Sequence, residues 1–131
     1  MLSAKFKPAL LGVALPLLST ITALAPLALV APLEVRAAEV PRTQEKAANV
    51  ARMKSEALNG GLTKYRTAAC MHQLGGGSCM VRSSTDGYRF QFLGGAPGWE
   101  TMNRKPTVET QIMVSPDGTK VEKVIYNGVP R

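Results

Sequence analysis

Side chains that can bind metals or form covalent bonds are concentrated in one stretch of the chain, residues 62–93. It holds both cysteines, Cys70 and Cys79, and the only histidine, His72. Thiolates, thioethers and imidazoles are the ligands that soft metals such as Cu(I) prefer, and Met80 follows the second cysteine. The stretch therefore offers two kinds of chemistry, a disulfide or a soft-metal site.

The spacing of the cysteines favours the disulfide. Eight residues separate Cys70 from Cys79 and include Gly75-Gly76-Gly77, which can turn the chain back on itself. This spacing excludes a C-x-x-C redox pair and a haem-attachment motif. Adjacent strand residues point to opposite faces, so Cys70 and Met71 do not converge easily on one ion. We expect a disulfide worth roughly 2.5–3 kcal/mol, and a Cu(I)-type site is the alternative.

Few titratable side chains remain that could support catalysis. His72 is the sole imidazole, and Asp86 and Asp117 each precede a glycine in a turn-forming sequence. No Walker, G-x-S-x-G, H-E-x-x-H or G-x-G-x-x-G motif occurs. If both cysteines pair, no thiol nucleophile is left. We therefore predict that the protein is not an enzyme and binds no cofactor.

The first third of the chain predicts export. Two lysines among the first seven residues precede a run of 26 uncharged residues, and Val35 and Ala37 occupy positions −3 and −1 of a small-residue cleavage site. We predict a signal peptide over residues 1–37, with cleavage after Ala37, and a single domain over residues 38–131. An uncleaved membrane anchor is the alternative, but interior prolines in the run disfavour a continuous helix.

The predicted domain of 94 residues carries 13 basic and 8 acidic side chains. A domain this small buries only about 60–65% of its unfolded surface, so a covalent cross-link is of particular value. The basic side chains are scattered, and the longest basic run in the domain is Arg104-Lys105. We therefore predict no nucleic-acid partner, and membrane contact only if the signal segment is uncleaved.

One helix is predicted, over residues 41–58. Thr43 suits the N-cap, and Asn59-Gly60-Gly61 suits the C-terminal end. The apolar side chains form one alanine-rich stripe, which is shallow enough for close packing on a sheet. The stripe consists of Ala47, Val50, Met53, Ala57 and Leu58, with Glu45, Asn49, Arg52 and Glu56 opposite.

Asp86-Gly87 predicts the turn of a first β-hairpin, because a two-residue type I′ turn needs positive φ at both central positions. This turn would place Thr85 opposite Tyr88. The core face would then carry Cys79, Val81, Tyr88, Phe90 and Phe92, and the other face Met80, Arg82, Arg89 and Gln91. Residues 65–72 are predicted to form a third strand.

Pro116-Asp117-Gly118 predicts the turn of a last hairpin. A three-residue loop would direct Val124 and Tyr126 to the apolar face, whereas a two-residue turn would pair Val114 with Val121. Both alternatives remain open. Together the elements predict an α+β fold, with one N-terminal helix packed on a four- to five-stranded antiparallel meander sheet and a frayed tail after the last strand.

The functional prediction rests on the loop over residues 94–106, which is rich in glycine and contains the only tryptophan. Tryptophan is enriched at protein interfaces, and Arg104 and Lys105 suit an acidic partner. The alternative is that Trp99 covers the core as a lid.

We therefore predict an exported, disulfide-linked domain that binds another protein or a small ligand through Trp99, Arg104 and Lys105. Its location would be the periplasm, another envelope compartment or the extracellular space. Two alternative functions remain. One is Cu(I)-type binding by Cys70, His72, Cys79 and Met80. The other is a structural accessory subunit of an envelope complex.

Overall fold

A computed structural model describes residues 39–131, together with the isolated positions Gly12 and Ala14. The predicted signal segment and the cleavage site after Ala37 lie outside the described residues. Residues 39–131 pack as one compact unit. Its elements in chain order are α1 (Arg42–Leu58), β1 (Arg66–Thr67), 3-10 turns at Ala69–His72 and Leu74–Cys79, β2 (Met80–Ser84), β3 (Gly87–Gly95), β4 (Val108–Val114) and β5 (Val121–Gly128).

The five strands form one antiparallel sheet with α1 packed on one face, which confirms the predicted α+β fold. Strand β3 is central: β4 pairs along one edge, while β2 and β1 share the other edge in succession. Strand β5 adds to the far side of β4. Among the described residues, no helix is long and apolar enough to cross a membrane.

Helix α1 buries its smallest side chains, and this differs in part from the predicted stripe. Met53 is 62% exposed and Leu58 is 45% exposed. The buried positions are Ala47, Ala48, Ala51, Ser55 and Glu56. Small side chains allow the helix to approach both the sheet and the glycine turn at residues 75–77. Glu56, predicted to face solvent, is buried and pairs with Arg52 at 3.4 Å.

The ends of α1 are set by its neighbours. Pro41 occupies the N-cap position. Thr43, the predicted N-cap, forms a hydrogen bond between its hydroxyl group and that of Tyr88, at 2.6 Å. At the C-terminal end the prediction is confirmed: Gly60 and Gly61 have positive φ, and the Gly61 N–H donates to the Glu56 carbonyl at 2.8 Å.

The β2–β3 hairpin turns at Thr85-Asp86, one position earlier than predicted. Gly87 already belongs to β3, where a Cβ atom would collide with the carbonyl oxygen of Val114. Ser83 therefore lies opposite Tyr88, where Thr85 was predicted. Because this shift is two residues, the side chains near the turn still point to the predicted faces of the sheet.

A bulge at Val81 then changes the face of the remaining residues in β2. Met80 therefore packs on the core, whereas Val81 is 48% exposed, and both observations contradict the prediction. On β3, the predicted alternation is confirmed, because Tyr88, Phe90 and Phe92 are buried.

The predicted third strand shortens to Arg66–Thr67, because a 3-10 turn at Ala69–His72 directs the chain away from the edge of β3. Tyr65, just before this strand, is 2% exposed and packs its ring on Gly94, where a side chain would collide with it. Its hydroxyl group is buried without a hydrogen-bond partner of normal geometry. Burial raises the pKa of Tyr65, and the nearby Thr110 and Ser55 hydroxyl groups oppose this rise.

The β4–β5 hairpin combines features of both predicted registers. Val114 pairs with Val121, as in the shorter alternative, and a bulge then brings Val124 to the core face, as in the longer one. A second bulge places Tyr126 opposite Gln111 on the outer face.

The turn between β4 and β5 lies against the first turn of α1. A Cβ atom on Gly118 would collide with the carbonyl oxygen of Thr43, and the φ of Gly118 is +74°. At the other end of the helix, Asn59 and Asn127 exchange two side-chain hydrogen bonds of 3.1 Å. The last hairpin thus contacts both ends of α1.

Candidate functional site

Residues 96–107 connect β3 to β4 as a series of turns. The Trp99 N–H donates to the Ala96 carbonyl at 3.0 Å, and the Arg104 N–H donates to the Trp99 carbonyl at 2.7 Å. Gly98 and Asn103 adopt the left-handed conformation that these turns require. The loop is therefore held by its own hydrogen bonds, although it contains no helix or strand.

Trp99 lies on the surface and is half-buried, outside the buried core cluster. Its indole Nε1 donates to the Arg66 carbonyl at 3.2 Å. The ring rests on Gly95, where an added Cβ atom would lie 3.1 Å from the indole Cγ. The absence of a side chain at Gly95 allows this close approach, and the hydrogen bond fixes the orientation of the indole. Trp99 is therefore not a lid on the core.

A depression of about 130 Å³ lies beside the indole. Glu100, one of its lining residues, accepts a hydrogen bond from the Ala69 N–H at 2.9 Å, which joins the loop to the 3-10 turn after β1. We call this region the Trp99 surface; it is lined by Arg66, Thr67, Ala69, Gly98, Trp99, Glu100 and Thr101. It presents an aromatic ring, whose orientation is fixed by a hydrogen bond, beside residues of β1 and of the turn that follows it.

The structure does not bring Arg104 and Lys105 into this depression. Both side chains are exposed and follow the indole on the way to β4. They lie at the margin of the loop, where charges affect the rate of association more than its strength. Sequence reasoning identified the loop and the tryptophan but missed Arg66 and Thr67, which enter from β1.

The predicted Cys70–Cys79 disulfide is present, with Cα atoms 5.6 Å apart. It closes a turn in which Gly75, Gly76 and Gly77 all have positive φ. Gly76 is buried: an added Cβ atom would lie 2.7 Å from the Phe90 ring. The disulfide thus holds a turn without side chains between α1 and the sheet.

The alternative soft-metal set is dispersed around this turn. Both sulfurs are used by the disulfide, so thiolate ligands would require the reduced protein. The His72 side chain is exposed, and its Nε2 lies 3.2 Å from the Thr67 hydroxyl. Met80 packs against the core. Within residues 39–131 no three His, Cys, Asp or Glu side chains are grouped to hold a metal ion.

A second depression, of about 260 Å³, lies between α1 and the disulfide-closed turn, and the sequence did not predict it. It includes Glu45 and Arg52 from the helix and His72 and Leu74 from the turns. Leu74 is 64% exposed, whereas Arg52 is engaged by Glu56. The depression is lined mainly by polar surface, and Arg52, the only lysine or arginine that lines it, is already paired with Glu56.

Two carboxyl groups outside these depressions are strongly hydrogen bonded. Hydrogen bonds from Ser115 and Thr119 lower the pKa of Asp117 to about 2. The Arg131 backbone N–H, at 2.9 Å, lowers the pKa of Glu109. The Arg131 guanidinium also contacts Glu109 and lies over the Tyr126 ring. The tail predicted to fray is therefore docked on the sheet.

Comparisons of the chain with protein-family models, with curated proteins and with solved structures found no match.

Proposed function

We propose that the protein is an exported binding domain that uses the Trp99 surface to bind a partner protein. One observation carries the proposal: the only tryptophan of the chain is held half-exposed by a hydrogen bond to the Arg66 carbonyl and does not contribute to the core. Buried tryptophans dominate the binding energy of many interfaces, and a side chain that is already fixed loses little entropy on binding.

The size of the depression favours a protein over a small ligand. Small-molecule sites have volumes of roughly 300–1,000 Å³, whereas the depression beside Trp99 measures about 130 Å³. One inserted side chain, with the indole as the central contact, suits this volume. Its one carboxylate, Glu100, already accepts a hydrogen bond, so we propose binding and not catalysis.

Export is supported by the signal-like segment over residues 1–37 and by the Cys70–Cys79 disulfide, because disulfides persist in oxidising compartments. N-terminal sequencing of the isolated protein tests this part of the proposal. We expect Ala38 as the first residue, and an intact Met1 on membrane-embedded protein would contradict it.

The binding proposal is tested by comparing Trp99→Ala with Met102→Ala, a matched control in the same loop whose side chain is 58% exposed. Captured proteins from an envelope extract of the source organism are quantified by mass spectrometry. Trp99→Ala should reduce capture of a specific partner about tenfold or more, equivalent to about 1.4 kcal/mol, while Met102→Ala should not.

Thermal unfolding of the same variants separates binding from stability. We expect both melting temperatures to stay within a few degrees of the wild type, because neither side chain belongs to the core cluster. A Trp99→Ala variant that is strongly destabilised, yet binds normally where folded, would contradict the proposal. A partner that stays bound through gel filtration would indicate an accessory subunit of a stable complex.

A further inference from the structure

A row of cationic side chains crosses the outer face of the sheet, the face away from α1. The strand register places Arg82 opposite Arg89, Arg89 opposite Met113, and Met113 opposite Lys123. Side chains that face each other across antiparallel strands share one face of the sheet. Since Phe90 points into the core, these four side chains point outwards. We call Arg82, Arg89, Met113 and Lys123 the arginine row.

The charges of the row are not neutralised within the part of the chain that the structure describes, because none of its ion pairs involves the row. Glu109 lies on the same face, four residues along β4 from Met113. Its oxygens already accept hydrogen bonds from Gln91, Gln111 and Arg131. The Glu109 carboxylate therefore does not neutralise the arginine row.

The two arginines are placed at a cost to stability. Like charges directly opposite each other across strands destabilise a sheet, by a few tenths of a kcal/mol up to about 1 kcal/mol. Arg89 donates one hydrogen bond, from Nη2 to the Gln111 side-chain oxygen at 3.1 Å, while its Nε is shielded from water without an acceptor. An anionic group above the row would relieve the repulsion and accept hydrogen bonds from the terminal guanidinium nitrogens that remain accessible.

We propose that the arginine row binds an extended acidic segment of a partner protein. Three strand spacings separate Arg82 from Lys123, which gives about 14 Å, or roughly four residues of an extended chain. Carboxylates suit the guanidinium groups, which bind them through two parallel hydrogen bonds. Met113, half-buried in the middle of the row, offers an apolar contact for a side chain between the acidic residues.

The composition of the face favours a polypeptide over a nucleic acid or a membrane. Single-stranded nucleic acids need aromatic rings for base stacking, and the ring of Tyr126 is already covered by Arg131 at 3.7 Å. Electrostatic binding to anionic membranes uses clusters of about four to eight cations, whereas the arginine row has three, and Arg131 on the same face is paired with Glu109. Met113, which is half-buried, offers an apolar contact that suits a side chain of a polypeptide.

The row is separate from the Trp99 surface. Arg89 precedes Gly95, on which the Trp99 ring rests, by six strand residues, or about 20 Å. The inference therefore does not depend on the proposed function, and its test can fail without affecting the Trp99 test.

Fluorescence anisotropy of the full chain with two labelled pentapeptides tests the inference, one of sequence EELEE and its uncharged counterpart QQLQQ. The acidic peptide should bind saturably, more weakly as salt is added, and the uncharged peptide should not bind. The double variant Arg82→Gln, Lys123→Gln should weaken binding about tenfold, the effect of two exposed ion pairs. Arg104→Gln, Lys105→Gln, which removes the same charge elsewhere, should weaken binding less than about twofold.

Methyl NMR of the methionines locates the peptide. The Met113 methyl resonance should shift on titration, whereas those of the exposed Met53 and Met102 should not. Equal weakening by both double variants, equal binding of the two peptides, or an unshifted Met113 resonance would overturn the inference. So would tighter binding of a single-stranded oligonucleotide or of anionic phosphatidylserine vesicles. Trp99→Ala should leave peptide binding unchanged.

Discussion

Two buried tyrosines differ in whether their hydroxyl groups are hydrogen bonded, and this difference gives a matched test of the packing. Tyr88 shares a hydrogen bond of 2.6 Å with the Thr43 hydroxyl group. The hydroxyl group of Tyr65 is buried without a partner of normal geometry. Replacement by phenylalanine removes one oxygen atom in each case and leaves the ring in place. We expect the two substitutions to change stability in opposite directions.

The magnitudes follow from the environment of each oxygen. Tyr88→Phe should lower the free energy of unfolding by about 1 kcal/mol, the usual net contribution of a hydrogen bond. Tyr65→Phe should raise it by about 1 kcal/mol, at the low end of the roughly 1–3 kcal/mol that an unpaired buried polar group costs. For a domain of this size, 1 kcal/mol changes the melting temperature by about 4–8 °C. The two variants should therefore differ by roughly 8–16 °C.

Urea unfolding, followed by tryptophan fluorescence and by circular dichroism, measures both effects, and unchanged m-values would show that the unfolded state is unaffected. Absorbance titration adds an independent check, because Tyr65→Phe should remove a phenol group of raised pKa. A loss of 1 kcal/mol or more in Tyr65→Phe would refute the reasoning, since it would mean that Thr110 or Ser55 forms a hydrogen bond with this hydroxyl group. An unchanged stability in Tyr88→Phe would refute the other half.

Three further predictions concern the disulfide, a glycine and an aspartate. Replacing Cys70 and Cys79 together by serine should cost about 2–3 kcal/mol in urea unfolding, from the entropy of the opened loop; a loss below about 1 kcal/mol would contradict this. Gly76→Ala should cost about 2 kcal/mol more than Gly61→Ala, because both positions have positive φ but only Gly76 has an aromatic carbon 2.7 Å from the added atom. Equal melting temperatures of these two variants would contradict that explanation. The pKa of Asp117 is lowered from 3.8 to about 2 in the folded state, so its stabilising contribution is present above pH 4 and is lost as the pH falls towards 2. Asp117→Asn should lack this part of the acid dependence. If the free energy of unfolding fell with pH equally in the variant and the wild type between pH 5 and 2, the result would contradict this prediction.

The alternation of β3 could be predicted from sequence, but the register of the β2–β3 hairpin could not. Large aromatic residues at every second position define a buried face whatever their neighbours are. The turn depends instead on Gly87, because a side chain there would collide with the carbonyl oxygen of Val114, which lies 27 positions later in β4. Turn propensity is a local property, and here a distant contact overrides it.

The buried face of α1 was predicted wrongly at its largest residues. Periodicity weights Met53 and Leu58 strongly and alanine weakly, yet the helix packs closely on two neighbours at once. Close approach requires small side chains, so Ala48 and Ala51 are buried while Met53 is left in water. The sequence does not reveal that the glycine turn lies against the helix.

Features of the candidate sites that lie within one stretch of sequence could be predicted, and features that depend on strand pairing could not. The sequence identified Trp99 and its loop, because a lone tryptophan among glycines is visible without a structure. The sequence placed Arg82 and Arg89 on the outer face, but it did not predict that they lie opposite each other or that Arg66 accepts the hydrogen bond, because both depend on the pairing of strands. One residue of error in any of these registers moves an arginine to the core face.

The contact between Gly118 and the carbonyl group of Thr43 constrains the order in which the protein can fold. A 17-residue helix is marginally stable in water by itself, and α1 depends on a hairpin made 75 positions later. While the chain is being synthesised, its N-terminal half has no completed partner. Folding is therefore expected as one late and cooperative event, delayed until the last hairpin is free.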